Sequence, residues 1–376
     1  MQYQVRRSVM KVLVTGGGTG GHIYPALAVI NELKERNQIV DILYVGTSKG
    51  MEQEIIPNRG IDFAAITVRG LQRKINLEQV YFLRDFLKGL YQSYRLIKNF
   101  TPDVVIGTGG YVCGPVLMAA SLMKIPTVLH EQNVIPGITN KFLSRFADYT
   151  CVSFPESKNY MTKAKKIITT GNPRAQEITS RDFSSVNKHL NLRSDLKTLL
   201  IVSGSRGAQK INETMINIIP ELISKFPIQI IYVTGNNYYE SIRSQILEYV
   251  DNSYQDRLKL HAYLSDLPAA ISCADLVISR AGATTLAELT AAETPSILIP
   301  SPNVTNDHQR VNAKILGERG AAKVLTEDSL NEQEVIKSIS SIINDEEVLF
   351  DMQRATKEIS YPTAATEICK ILESLI

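Results

Sequence analysis

Four cysteines occur in 376 residues, Cys113, Cys151, Cys273 and Cys369, and no two of them form a C-x-x-C pair. That scarcity and spacing argue against a cysteine zinc site and point to a reducing compartment. Long hydrophobic runs are also missing: none approaches the roughly 18 residues that a membrane-spanning helix requires. The opening residues carry Arg6 and Arg7, and the apolar stretch that follows is broken by Lys11 and then by glycines, so no signal peptide is expected. The net charge of +3 is too small to suggest nucleic acid as a partner. Hydrophobic residues at 44% and charged residues at 21% leave ample apolar material for two cores.

The most unusual stretch is Gly16-Gly17-Gly18-Thr19-Gly20-Gly21-His22. Val12-Leu13-Val14-Thr15 runs into it and Ile23-Tyr24-Pro25-Ala26-Leu27-Ala28-Val29-Ile30 follows, which reads as strand, turn and helix. Glycines permit positive φ and close approach of a ligand to the main chain. The helix start offers N–H groups to an anionic oxygen. Two familiar readings fail on what is absent. Gly16-x-Gly18-x-x-Gly21 fits the dinucleotide fingerprint, but the second strand, Ile42-Leu43-Tyr44-Val45, ends in Gly46-Thr47 with no acid to hold a ribose. A Walker loop needs Lys and then Ser or Thr after its last glycine, where this chain has His22-Ile23. His22 is titratable and stands at a helix start, which favours the neutral imidazole. It reads either as a general base or as a helix cap.

Short apolar segments continue to alternate with helical patterns: residues 61–68, Asp103–Gly107, Pro126–His130 and Tyr149–Ser153. After a polar connection over residues 180–197 the theme restarts at Leu199-Leu200-Ile201-Val202-Ser203-Gly204-Ser205-Arg206-Gly207, with strands expected over residues 228–234, 258–261, 276–279 and 296–300. The alternation predicts an α/β chain of two domains, each with a parallel sheet. The expected division is 1–170 and 171–356, with a final helix over about 357–376 crossing back to the first domain. Ligands of such sheets bind beyond the carboxyl ends of the strands. Gly107-Thr108-Gly109-Gly110-Tyr111-Val112-Cys113-Gly114-Pro115 and His130-Glu131-Gln132-Asn133 lie there, as does the first glycine loop.

Residues 68–98 depart from the pattern. Seven basic residues stand against Glu78 and Asp85, so the segment carries a larger positive excess than the whole chain. Leu83, Leu87, Leu90 and Tyr94 recur at helical spacing and are expected to form one buried face. The remaining apolar and aromatic residues, mixed with Lys and Arg, read either as an anionic membrane-interface surface or as a solvated basic rim.

In the second domain, Arg280-Ala281-Gly282-Ala283-Thr284-Thr285-Leu286-Ala287-Glu288 places small residues, hydroxyls and then a carboxylate at a strand end and helix start. That suits a phosphate at the helix terminus and a ribose on Glu288; the plain alternative is an N-cap with a first-turn Glu. The polar loop Pro300–Ala313 brings His308 and Gln309 to another helix start, where both suit sugar hydroxyls. No Asp-x-Asp occurs in the chain. Helix termini and backbone donors are then expected to neutralise a departing diphosphate, with no metal and no cofactor.

The glycine loop with Ile23-Tyr24-Pro25, the Gly109–Pro115 loop, His130–Asn133, Gly204–Ala208, Arg280–Glu288 and Asp307-His308-Gln309 occur together and in order. This set, which covers nearly the whole chain from Met10, resembles the MurG family of peptidoglycan N-acetylglucosaminyltransferases, in a form similar to its Gram-positive members. The resemblance implies a GT-B fold, two Rossmann-like domains facing across a cleft, and inverting transfer of GlcNAc from UDP-GlcNAc to the 4-hydroxyl of MurNAc in lipid I. It implies that Leu264 meets uracil, that Ser205, Ala283, Thr284 and Thr285 hold the diphosphate, and that Glu288 takes the ribose. Gln309 and His308 would read the sugar, with Asn133, Thr19, Gly20 and Gly21 also touching the donor. Arg174, in a contracted Gly171-Asn172-Pro173-Arg174, stands near the place of the family's uracil-contacting arginine. Gly109, Gly110 and Tyr111 would face lipid I. His22 is the expected base, with Glu131 and His130 as alternatives. The resemblance further implies a peripheral protein on the cytoplasmic face of the membrane, docked through residues 68–98, with other wall-synthesis proteins as partners. Three other readings remain: another lipid-linked glycosyltransferase of this fold, a Rossmann oxidoreductase or epimerase, and a non-catalytic membrane-surface scaffold.

Overall fold

Val12, Leu13 and Val14 have no accessible surface, and neither do Val104, Val105 and Ile106. Strands apolar on both faces must be covered on both faces, so these runs become the interior of a parallel sheet between helical layers. A computed structural model describes residues 9–37, 39–70, 78–181, 190–204 and 207–376. The chain divides into two units, Met1–Arg174 with Thr363–Ile376, and Ala175–Pro362.

In the first unit seven described strands run parallel in the order β3-β2-β1-β4-β5-β6-β7. They are β1 (Met10–Thr15), β2 (Val40–Thr47), β3 (Asp62–Ile66), β4 (Val104–Gly107), β5 (Thr127–Glu131), β6 (Tyr149–Val152) and β7 (Ile167–Thr169). β1 pairs with β2 on one side and β4 on the other, with Thr15 opposite both Val45 and Gly107. The helices that position the site are α1 (Gly20–Arg36), the single turn α2 (Glu52–Ile55), α3 (Glu78–Phe100), α4 (Cys113–Leu122) and α5 (Ile138–Leu143); α6 (Arg174–Thr179) begins at this unit's Arg174 and continues in the second unit.

In the second unit β8 (Lys197–Val202), β9 (Ile228–Val233), β10 (Leu258–His261), β11 (Leu276–Ser279), β12 (Ser296–Leu298) and β13 (Ala322–Val324) take the order β10-β9-β8-β11-β12-β13. The winding repeats that of the first unit, with the reversal of direction between β8 and β11. Its helices include α7 (Gln209–Lys225), α8 (Tyr239–Tyr249), α9 (Leu267–Ser272), α10 (Ala283–Ala291), α11 (His308–Glu318), α12 (Glu332–Ile343) and α13 (Glu346–Glu358).

The last helix, α14 (Ala364–Glu373), returns to the first unit. Ile368, Cys369 and Leu372 enter the same buried cluster as Ile23, Leu27 and Ile30 of α1. Glu373 accepts hydrogen bonds from Arg36 Nη2 at 2.8 Å and Asn37 Nδ2 at 3.2 Å, and Thr366 Oγ1 donates to Glu32 at 2.7 Å. The helix that begins at the glycine loop is thereby fixed at its far end.

Helix α3 corrects one expectation. Leu83, Leu87 and Tyr94 do not form a buried face: they are 57, 55 and 44% exposed, and Tyr91 is 63% exposed. The buried row is Asp85, Gly89, Ser93 and Ile97. Gly89 explains the choice, since a Cβ there would lie 2.6 Å from the Thr67 carbonyl and 3.4 Å from Pro115. Gly89 lets α3 approach β3 and α4 closely; Leu90, Leu96, Ile97 and Phe100 pack on the core, while Leu83, Leu87, Tyr91 and Tyr94 turn outward. Asp85 is buried under Arg69 at 2.6 Å and Arg84 at 3.0 Å, and these hold its carboxyl below the usual range. Leu71, Arg73, Lys74, Ile75 and Leu77 of the basic aromatic segment lie outside the described residues.

Candidate active site

In the first unit the chain reverses winding direction between β1 and β4, and the loops that leave these strands meet. Thr108 N donates to Thr15 O at 2.9 Å and Gly17 N to Gly109 O at 3.3 Å. Thr108 Oγ1 donates to His22 O at 2.7 Å, tying the second loop to the start of α1. Gly109 and Gly110 adopt φ of +107° and +84°. A Cβ on Gly110 would lie 2.2 Å from Gly17 O, so the two loops touch backbone to backbone. Tyr111 lies over Gly18, its ring 3.4 Å from where a Cβ would stand.

Sequence reading missed an important residue of this loop. Glu52, on α2, has no accessible surface, and its carboxylate accepts from Gly18 N at 3.2 Å, Thr47 N at 3.0 Å and Thr47 Oγ1 at 2.7 Å. Cβ atoms on Gly17, Gly46 or Gly50 would come within 2.6 Å of its side chain. Three glycines, one in the first loop, one in β2 and one in the turn after it, thus make room for one buried acid. The acid absent from the end of β2 is present five residues past Thr47, folded inward beneath the loop. Two loop amides, Gly17 and Gly18, are bound internally. Those of Thr19, Gly20 and Gly21 have no acceptor among the described residues and lie at the start of a 17-residue helix, where its dipole favours an anion.

His22 Nδ1 lies 3.1 Å from Thr108 O and 3.2 Å from Gln132 Oε1. Both are acceptors, so Nδ1 carries a proton, and the neutral ring keeps its lone pair on Nε2. The two alternative bases are placed otherwise. His130 is fully buried, with Nε2 3.0 Å from Gly171 O and Nδ1 3.1 Å from Gln132 Nε2. Glu131 is 1% exposed and accepts from Asn133 N at 2.9 Å, Asn140 Nδ2 at 2.9 Å and Gly137 N at 3.1 Å, with Asn133 Nδ2 at 3.3 Å. Its carboxylate therefore shapes the loop that carries Asn133. Burial outweighs these bonds and raises its pKa. Of the three, His22 alone is not fully buried.

Burial lowers the His130 pKa from 6.5 to about 4. A folded-state pKa below the unfolded one contributes stability that is present above pH 6.5 and lost as pH falls toward 4. The full loss is about 3 kcal/mol. Glu131, shifted upward, has the opposite sign. Urea unfolding of the parent protein and His130→Gln, at about pH 7 and about pH 4.5, separates the two contributions. The parent is expected to lose more stability on acidification than the variant. Equal losses would show that His130 is not held neutral.

In the second unit, α10 begins at Ala283 with Gly282 extended before it at φ −70° and ψ 134°, and no side chain caps it. The amides of Ala283, Thr284 and Thr285 have no acceptor among the described residues. Glu288, one turn on, is 4% exposed. Gln309 Oε1 accepts from Ser301 N at 2.9 Å, and His308 Nδ1 donates to Thr305 O at 2.7 Å. Asn306 and Asp307 before them are left-handed, with φ of +57° and +51°. Arg280 donates to Ile299 O at 3.1 Å and pairs with Glu327 at 2.5 Å. Leu264 is half-buried between β10 and α9. Ser205 lies outside the described residues, though Gly204 and Gly207 beside it are left-handed, with φ of +89° and +81°. Arg174 belongs to the first unit, its guanidinium 5.3 Å from the Tyr24 ring centroid.

Two doubly wound sheets, each with a glycine turn and an open helix start at its switch point, are a pair of Rossmann-like domains, the GT-B fold. Residues 12–152 match the glycosyltransferase family 28 N-terminal domain, and residues 198–368 match its C-terminal domain. A curated relative from Halalkalibacterium halodurans is 44% identical over 366 residues, covering 97% of this chain and 99% of the relative. One from Bacillus licheniformis is 45% identical over 366 residues, 97% of this chain and 99% of its own. Both carry the name UDP-N-acetylglucosamine–N-acetylmuramyl-(pentapeptide) pyrophosphoryl-undecaprenol N-acetylglucosamine transferase. The crystal structure of Acinetobacter baumannii MurG is similar with a TM-score of 0.77 at 28% identity, over 97% of this chain and 99% of that one. The Neisseria meningitidis UDP-GlcNAc 2-epimerase shares the fold, with a TM-score of 0.70 at 17% identity, over 97% of this chain and 100% of that one. The chain belongs to glycosyltransferase family 28 and, within it, to the MurG transferases.

Proposed function

We propose that this protein transfers GlcNAc from UDP-GlcNAc to the MurNAc 4-hydroxyl of lipid I, undecaprenyl-pyrophosphoryl-MurNAc-pentapeptide, and so forms lipid II. The observation that carries the reading is 44% identity, over 97% of the chain, to a relative named for that transfer. The reaction is a single inverting displacement. His22 Nε2 takes the proton of the 4-hydroxyl as its oxygen attacks the anomeric carbon, and UDP departs. Backbone donors at the start of α10, with the hydroxyls of Thr284 and Thr285, meet the charge that develops on the diphosphate. Glu288 holds the ribose, Leu264 the uracil, and Gln309 with His308 the sugar. The open amides of Thr19, Gly20 and Gly21, which with Asn133 also touch the donor, and the loop Gly109-Gly110-Tyr111 receive lipid I at its pyrophosphate end. The oxidoreductase reading loses its footing because Glu52, the acid nearest the end of β2, is turned under the loop.

The protein works at the cytoplasmic face of the membrane. No described helix is long and apolar enough to cross it. The exposed row Leu83, Leu87, Tyr91 and Tyr94 of α3 lies among Arg84, Lys88, Arg95 and Lys98, which suits an interface with anionic lipid.

The test is transfer of labelled GlcNAc from UDP-GlcNAc to a lipid I analogue in vesicles, neutral or anionic, with and without EDTA. A lipid II-type product in both, formed faster on anionic vesicles at low salt, is expected. No transfer under any condition would overturn the activity. Activity lost to EDTA would overturn departure on backbone donors alone, and equal rates on the two vesicles would remove the membrane reading.

A further inference from the structure

We propose that Gln132 is a positioning residue that fixes the tautomer of His22, with buried His130 as its anchor. The proposal rests on the reading of His22 as the general base. Gly171, His130, Gln132, Thr108 and His22 form a chain of donors and acceptors in which each step is forced by a partner of one kind only.

The chain starts at the Gly171 carbonyl, which only accepts. His130 Nε2 lies 3.0 Å from it and therefore carries the ring proton. Burial keeps that ring neutral, with its pKa at about 4. Its lone pair is then on Nδ1, which faces Gln132 Nε2 at 3.1 Å and accepts from it. The same amide nitrogen lies 2.5 Å from the Thr108 carbonyl, again an acceptor only. Flipping the Gln132 amide would set two oxygens against each other at that distance and leave His130 Nδ1 without a donor. The amide orientation is thus determined from both sides, and Oε1 must point at His22 Nδ1, 3.2 Å away.

His22 Nδ1–H is shared between Gln132 Oε1 and the Thr108 carbonyl, and the latter already has a closer donor in Gln132. Gln132, together with the Thr108 carbonyl, therefore makes Nδ1 the protonated nitrogen and leaves Nε2 to take the substrate proton. A base that needs one of two tautomers is commonly oriented by a hydrogen bond to its other nitrogen. Here a neutral amide serves where a carboxylate would raise the basicity of the imidazole as well. The neighbouring carboxylate, Glu131, is engaged with Asn133, Gly137 and Asn140 instead.

The experiment reads the tautomer directly. Long-range ¹H–¹⁵N spectra of histidine-labelled protein, with the His22 signals identified by their loss in His22→Ala, are expected to show His22 protonated at Nδ1 when neutral. A neutral His22 protonated at Nε2 would overturn the proposal in the parent protein, with no variant needed. Gln132→Met keeps the side-chain length and removes both amide groups. In it the His22 signals should move toward a mixture of tautomers, and kcat should fall on the order of 10- to 100-fold with KM for both substrates nearly unchanged. An unaltered tautomer with unaltered kcat would reduce Gln132 to a structural residue. Retained turnover in His22→Ala would end the base reading but leave the tautomer result standing, so the two failures are distinguishable.

Discussion

Gly109→Ala is expected to lower turnover by two orders of magnitude or more while the protein stays folded and keeps its affinity for UDP-GlcNAc. Gly109 sits at φ +107°, where an L side chain is strained. Its Cβ would lie 2.6 Å from His22 Nδ1, 2.9 Å from His22 Cε1 and 3.2 Å from Asn140 Nδ2. The imidazole cannot stay where it is, and the hydrogen bond from Nδ1 to Thr108 O, at 3.1 Å, is the first casualty. Backbone strain of this kind costs about 1–3 kcal/mol, which the unit tolerates. A reacting group displaced by about 1 Å costs on the order of 100-fold in rate, which is the larger consequence. The residues expected to hold the diphosphate and the ribose, Thr284, Thr285 and Glu288, belong to the other unit, so UDP-GlcNAc affinity serves as the control. Steady-state kinetics and a melting curve decide it: a folded variant with turnover near that of the parent would show that the imidazole has room to move, or is not needed.

Much of this was legible in the residues because strands and glycine turns announce themselves. Val12–Thr15 and Leu199–Val202 are runs of apolar or β-branched residues with a glycine one or two positions on, and they became central strands of the two sheets. β13, Ala322-Lys323-Val324, has no such run: three residues at a sheet edge, with one Lys turned to solvent, carry too little pattern to be read. The face of α3 was misread for a different reason. Periodicity says which residues share a row and not which row is buried, and the buried row was chosen by a close approach at Gly89 that only the packed structure contains.

The candidate site divides in the same way. His22, Gly109 and Gly110 could be found because glycine and a lone histidine at a helix start are rare enough to notice. Gln132 stood in a quoted motif without a role, since an amide has no chemistry until its neighbours fix its orientation. Glu52 was invisible because it comes from a turn after β2 and acts beneath the loop. The signal existed, in glycines at positions 17, 46 and 50, but sequence does not say that their missing side chains leave space for the same carboxylate.

His22→Ala is the second large effect, and it is expected to be confined to the chemical step. Removal of a general base costs on the order of 10²- to 10⁴-fold in kcat. Donor binding, measured by titration with UDP-GlcNAc in the absence of acceptor, should be nearly unchanged, because Thr284, Thr285, Glu288 and Gln309, which are expected to hold most of the donor, lie in the second unit. The acid limb of the parent's kcat–pH profile should vanish in the variant, since that limb reports the group that must be unprotonated. The network makes a further demand. If Gln132 acts only through His22, then Gln132→Met added to His22→Ala should cost nothing more, although it is costly alone. Additive losses would mean that Gln132 touches the reaction by some other route. Turnover in His22→Ala within a fewfold of the parent would send the search for the base elsewhere. It would not lead to His130, whose two ring nitrogens are both engaged inside the fold.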